Sequence, residues 1–125
     1  MRVPSFLARQ FYVPGSLRNT ATGFSVQARN AMADGMLVGI GAISIDGVAI
    51  QPAAVTARRE GEDATYHATD VSTASPVAFR KGDVVTFDFA GFALNAGAHQ
   101  LDVELVERDL GALSLSFSET VAPGW

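Results

Sequence analysis

Leu113-Ser114-Leu115-Ser116-Phe117-Ser118 alternates apolar and polar side chains without a break. Successive side chains of a strand point to opposite faces, so this stretch buries Leu113, Leu115 and Phe117 and turns three serines to water. A helix would scatter the same residues around its circumference. The pattern recurs upstream: Leu101, Val103 and Leu105 alternate with Asp102 and Glu104, and Val85, Phe87 and Phe89 with Thr86 and Asp88. Phe24, Val26 and Ala28 alternate with Ser25, Gln27 and Arg29. Ile43-Ser44-Ile45-Asp46-Gly47-Val48-Ala49-Ile50 reads as a hairpin. Asp46-Gly47 suits a two-residue turn whose central residues take positive φ, pairing Ile45 with Val48 and Ile43 with Ile50.

The remaining segments follow from their punctuation. Met36 to Ile40 is continuously apolar and is expected to be buried on both faces. Pro52 ends the hairpin's second strand. Val55–Arg58 and Thr65–Thr69 read as short strands around a solvated loop at Glu60–Asp63. Residues 70–78 read as a crossing loop with at most one helical turn, Phe79–Asp83 as a turn and Asn95–His99 as another. Residues 1–16 lack periodicity and form an N-terminal arm; residues 118–125 form a C-terminal tail. Short strands, frequent turns and no convincing amphipathic helix predict an all-β fold, a two-sheet antiparallel β-sandwich of jelly-roll or immunoglobulin-like type, as one domain over residues 1–125.

Composition narrows the function classes. The chain has 125 residues, 48% apolar and 18% charged, enough for a core without staples. A net charge of −4 with interspersed signs argues against nucleic acid, whose backbone needs a concentrated basic surface. With no cysteine there is neither a disulfide framework nor thiolate chemistry. The N-terminal apolar run is too short for a signal peptide, and no stretch approaches the ~20 apolar residues of a membrane span. The expectation is a cytoplasmic protein.

Candidate chemistry is sparse. His67 and His99 lack metal-site spacing and read as structural histidines. Asp102 and Glu104 share a strand face, with Asp88 a possible third carboxylate, but exposed acids on a sheet are the ordinary case. The serines at 114, 116 and 118 lack a nucleophile elbow. Gly39-Ile40-Gly41 lacks the third glycine and the following helix of a dinucleotide fingerprint. Tyr12, Tyr66, Phe92 and Trp125 have rings suited to stacking on a sugar. No catalytic, cofactor-binding or metal residue is assigned to this chain. Phe6, Leu7, Phe11 and Tyr12 are too apolar for a free arm. Phe11, Tyr12, Arg18 and Trp125 are therefore the expected anchors of a partner interface, the rival being an arm folded back on its own sandwich.

The order of the motifs resembles the β subunit of bacterial C-glycoside deglycosidases. The matching stretches are Leu17-Arg-Asn-Thr20, Gly23-Phe-Ser-Val-Gln-Ala-Arg29, Ile43-Ser-Ile-Asp-Gly-Val48, Phe79-Arg-Lys-Gly-Asp83 and Gly97-Ala-His-Gln-Leu-Asp-Val103. The resemblance implies a non-catalytic β subunit, inactive alone, that supports a larger TIM-barrel α subunit carrying a divalent metal (Mn or Mg). The implied complex is a carbon–carbon lyase. It cleaves the bond between a 3-oxo-glucosyl unit and an aromatic, flavonoid-like aglycone, leaving an unsaturated 3-keto sugar, with the 3-oxo-C-glycoside held mainly by the partner. The alternatives are a stand-alone carbohydrate-binding sandwich and a generic assembly domain of another enzyme complex.

Overall fold

The computed structural model describes residues 1–91 and 93–121. Its strands are β1 (Arg18–Asn19), β2 (Gly23–Arg29), β3 (Gly35–Ile45), β4 (Val48–Ile50), β5 (Val55–Arg59), β6 (Thr65–His67), β7 (Val77–Phe79), β8 (Val84–Ala90), β9 (Gly97–Glu107) and β10 (Gly111–Val121). One five-stranded sheet runs β1-β2-β8-β5-β6 and the other β10-β9-β3-β4, with β7 also paired to β3. All the strand pairings are antiparallel. The two sheets stack as the alternation requires, and the all-β sandwich is borne out.

The core is made by the inward residues of both sheets. Phe24, Val26, Val55 and Phe89 come from one, and Ile43, Ile45, Ile50, Leu101 and Val121 from the other. Phe24 is fully buried and stacks on Phe89, its register partner, with ring centroids 4.6 Å apart. A second cluster, built on Leu37, Ala57, Phe79 and Val85, fills the other end of the sandwich. Burying one such side chain contributes roughly 1.5–3 kcal/mol, so these inward rows dominate the folding free energy.

The β3–β4 hairpin forms as expected: Ile43 pairs with Ile50, Ile45 with Val48, and Asp46 and Gly47 take φ of 51° and 81°. Val48, however, stays 61% exposed at the sheet margin. Met36–Ile40 lies in β3 but is mostly half-buried, because only one face of its sheet meets the other layer. The β3–β9 register shifts between Leu37 and Gly39 and between Ile40 and Ile43. Each shift is the mark of a bulge, which disturbs the simple alternation there. The C-terminal tail begins later than expected, since Ser118–Val121 continues β10.

The arm contains an element the periodicity did not show, helix α1 (Ser5–Phe11). Under two turns long and without a side-chain cap, it has too little local signal to stand out. Its position is tertiary. Ahead of it, Arg2 bridges Ser114 in parallel and Val3 N–H donates to the Ser114 carbonyl at 2.8 Å, covering the β10 edge. Behind it, Tyr12 bridges Ala28, and β1 pairs with β2, covering the edge of the other sheet. The arm thus closes one side of the sandwich by engaging an edge strand of each layer, which unpaired strands require to avoid adventitious pairing.

Candidate functional site

Three polar groupings stand out, two at turns or strand ends and one across a sheet face. The first gathers where the crossover from β8 to β9 meets the β3–β4 turn. His99 Nδ1 donates to Asp46 Oδ2 at 2.5 Å, and His99 Nε2 donates to the Asn95 carbonyl at 2.7 Å. Asp46 Oδ1 accepts the Gln100 amide at 2.8 Å, while the Asp46 amide donates to the Gln100 carbonyl at 2.8 Å. Asn95 as a hydrogen-bond acceptor, and then Asp46, raises the His99 pKa above its ordinary value. The Gln100 amide and then His99 hold the Asp46 carboxyl below the usual carboxylate range. Both ring nitrogens are spent on acceptors, so His99 offers no lone pair to a metal or a substrate proton. The grouping clamps two loops.

Next to it, Tyr12 packs against Phe117 with ring centroids 5.6 Å apart. Burial, with the Glu119 carboxylate beside it, pushes the Tyr12 hydroxyl up to about 12. That hydroxyl is closed from solvent and makes no hydrogen bond of ordinary geometry. A phenol so hard to ionise serves as an amphipathic filler rather than an acid.

The second grouping centres on Arg59, buried at the end of β5. Its guanidinium pairs with Glu62 at 2.5 Å and Asp83 at 3.4 Å, donates to the Ala78 carbonyl, and lies 5.8 Å from the Tyr66 ring centroid. Beside it is a cavity of about 20 Å³ between the sheets, lined by apolar side chains that include Leu37, Ile40, Phe79 and Phe87. The space is about that of a single water and has little polar lining to hold one. The expected solvated loop at Glu60–Asp63 is exposed, whereas Arg59 just before it turns inward because β5 alternates, and it fastens β7 and the two neighbouring turns.

The third grouping is the outer face of the β1-β2-β8-β5-β6 sheet. Arg18, Ser25, Asp88, Thr56 and His67 are register partners in one row across its five strands. Arg58 pairs with Asp88 at 3.2 Å, and Gln27 Nε2 donates to Thr86 Oγ1 at 3.2 Å. Asp102 and Glu104 project from the other sheet, on the far side of the sandwich, where Ser116 Oγ donates to Asp102 at 2.5 Å. Asp88, the possible third carboxylate, therefore does not join that pair: strand parity sends it outward from one layer and Asp102 and Glu104 outward from the other. Among the described residues, no three His, Asp or Glu side chains converge as a metal site.

The other residues singled out by their sequence pattern fall as follows. Gly39-Ile40-Gly41 lies inside β3 at its register shifts, not at a strand-to-helix turn. Phe11 packs against the second core cluster and Tyr12 against the first, both within the chain. Arg18 is exposed on β1. Phe92 and Trp125 lie outside the described residues. Sequence reasoning missed Asn19, whose side-chain amide donates to the Leu94 carbonyl at 2.8 Å and accepts the Leu94 amide at 2.7 Å, imitating a β-bridge. It also missed buried Asn30, which donates to the carbonyls of Ala33 and Phe79. Only the turn propensity of asparagine hinted at either.

Residues 7–122 match the family model for the hydroxymethylglutaryl-CoA reductase N-terminal domain. The chain belongs to that family. Among curated proteins, no sequence gives a significant match to it. Membership in the hydroxymethylglutaryl-CoA reductase N-terminal domain family makes the chain a component of an enzyme, and it overturns the deglycosidase β-subunit resemblance together with the carbon–carbon lyase activity drawn from it. The physical reason is visible in the stretches that carried the resemblance. Leu17–Thr20 is the edge pairing of β1, Ile43–Val48 the hairpin turn, Phe79–Asp83 a turn with Gly82 at φ 91°, and Gly97–Val103 the start of β9 with Gly97 at φ 117°. These residues meet the demands of a sandwich, whatever its chemistry. The barrel partner with its Mn or Mg rested on the same resemblance and loses its basis.

Proposed function

We propose that this chain is a non-catalytic structural module of a hydroxymethylglutaryl-CoA reductase-type enzyme, located in the cytoplasm, whose reducing chemistry is carried by another domain or chain. One observation carries the reading: the strongest polar groups are used up in holding the fold. His99 and Asp46 clamp two loops, Arg59 fastens one end of the sandwich, and Glu107 accepts the amides of Met36, Asp109 and Leu110. A group that donates or accepts a proton in a reaction needs a free position facing substrate. No described helix is long and apolar enough to cross a membrane.

The surface offered to the catalytic part is the polar outer face containing Arg18, Thr56 and His67. Co-expression with the candidate reductase chain tests this. Reductant-dependent release of CoA thiol from hydroxymethylglutaryl-CoA is followed, a readout to which this cysteine-free chain adds no background. Activity that requires the partner and falls in yield or thermal stability without this chain supports the proposal. Thiol release by the isolated chain, or a partner indifferent to its presence, overturns it.

A further inference from the structure

The crossover between the two sheets is pinned at both ends, by different chemistry. At its β1 side the pin is the Asn19–Leu94 amide pair, with distances of 2.7 and 2.8 Å, neutral and indifferent to pH. At its β9 side the pin is His99, which bridges the Asn95 carbonyl and the Asp46 carboxylate. A carbonyl and a carboxylate both only accept. The ring must therefore carry a proton on each nitrogen, and only the imidazolium fits. Deprotonation leaves one ring nitrogen lone pair against an acceptor oxygen at hydrogen-bond distance, an arrangement that repels.

We propose that His99, Asp46 and Asn95 form a pH-sensitive latch that ties the crossover loop to the β3–β4 turn and releases it as the solution turns alkaline. Among the described residues, the charged groups around the ring come from two elements. Asp46 arrives from the β3–β4 turn, and Glu119 is the register partner of His99 on β10. Glu119 is committed elsewhere: it accepts the Thr120 amide at 2.8 Å and lies against Tyr12. Asp46 is thus the carboxylate that the imidazolium needs. The His99 side chain is only 11% exposed, so water does not readily replace the lost partner, whereas Asp46 at 48% is rehydrated when released. The loop then stays attached through Leu94 and through the Gly91 amide, which donates to the Thr22 carbonyl. Gln100 loses its carboxylate acceptor when Asp46 swings out, so its amide reports the opening directly. The latch belongs to the sandwich itself and stands independently of the enzyme to which the module belongs.

The test uses the full chain. Nitrogen and carbon shifts of the His99 ring are followed by NMR from acidic to alkaline pH, together with hydrogen exchange of the Leu94 and Gln100 amides corrected for intrinsic rates. A doubly protonated ring that titrates above 6.5, with Gln100 protection falling at least tenfold through that transition while Leu94 protection persists, is the expected result. Asp46→Asn keeps the turn's backbone preference but removes the charge, and it shifts the transition to lower pH. A ring that titrates at or below 6.5 in the folded wild-type chain, or Gln100 protection independent of pH, overturns the latch even if the variant fails to fold.

Discussion

At the scale of single residues, close backbone approach and buried charge decide what can change. A Cβ at Gly23 would overlap the Phe89 carbonyl oxygen and sit 2.9 Å from its carbon, both fixed in the β2–β8 ladder. A Cβ at Gly41 would meet only the end of the Glu104 side chain, which is free to swing away. Gly23→Ala is therefore expected to lower stability by about 2–3 kcal/mol, against less than about 1 for Gly41→Ala, as read from urea midpoints. Equal effects would show that the ladder yields as easily as the side chain. Arg59 gives a second contrast. Arg59→Met removes the charge but leaves Asp83, whose side chain is 22% exposed, and the Ala78 carbonyl without their partner. A loss of about 3 kcal/mol is expected, with Arg59→Lys intermediate because a single ammonium cannot span the same set of acceptors. Denaturant unfolding of the two variants checks the order, and a Lys variant as weak as Met would mean that the forked geometry is irrelevant.

At the scale of elements, the arm is the informative case. Alone, α1 is too short to persist, and Met1–Val3 has no periodicity; together they cover the β10 edge and bring Tyr12 onto Phe117. Deleting residues 1–12 is expected to lower the melting temperature by about 10 °C, given ~4 °C per kcal/mol for a domain of this size, and to promote association through the uncovered edge. Circular dichroism and size-exclusion chromatography read the two effects. A truncated chain that melts within a few degrees of the full one and stays monomeric would show the arm to be ornamental to the sandwich. The β3–β4 hairpin is the opposite kind of element. Asp46-Gly47 and its flanking isoleucines specify turn and register within eight residues, and the structure follows them.

At the scale of the whole molecule, the clamp at His99 makes stability depend on pH. The folded His99 pKa is raised, so its contribution is complete below about 6.5 and is lost as the pH climbs through the folded value. The folded Asp46 pKa is lowered, so its contribution is complete above 3.8 and is lost as the pH falls through the folded value. Stability attributable to the pair is therefore greatest between those limits, and it declines on the alkaline side first as the chain is taken upward from neutrality. Thermal unfolding across a pH series is expected to show this shoulder in the wild type and to lose it in His99→Gln, which cannot be charged. A wild-type curve that rises steadily above neutrality would contradict the sign.

The sequence by itself determined the longer strands and the hairpin, because side-chain alternation is a local pattern and burial of one sheet face is its direct consequence, whereas β1 and β7, of two and three residues, were too short to show it. It determined far less about purpose. Asp-Gly and Lys-Gly-Asp turns answer to backbone geometry, so stretches rich in them resemble one sandwich family as readily as another. The tertiary structure alone decided that Arg59 points inward, that Asp88 and Asp102 stand on opposite outer faces, and that Asn19 imitates a strand. It alone placed His99 between two acceptors that lie 4 and 53 residues away along the chain. Such contacts join residues brought together by the stacking of two sheets, and no window of sequence contains both partners of the longer pair.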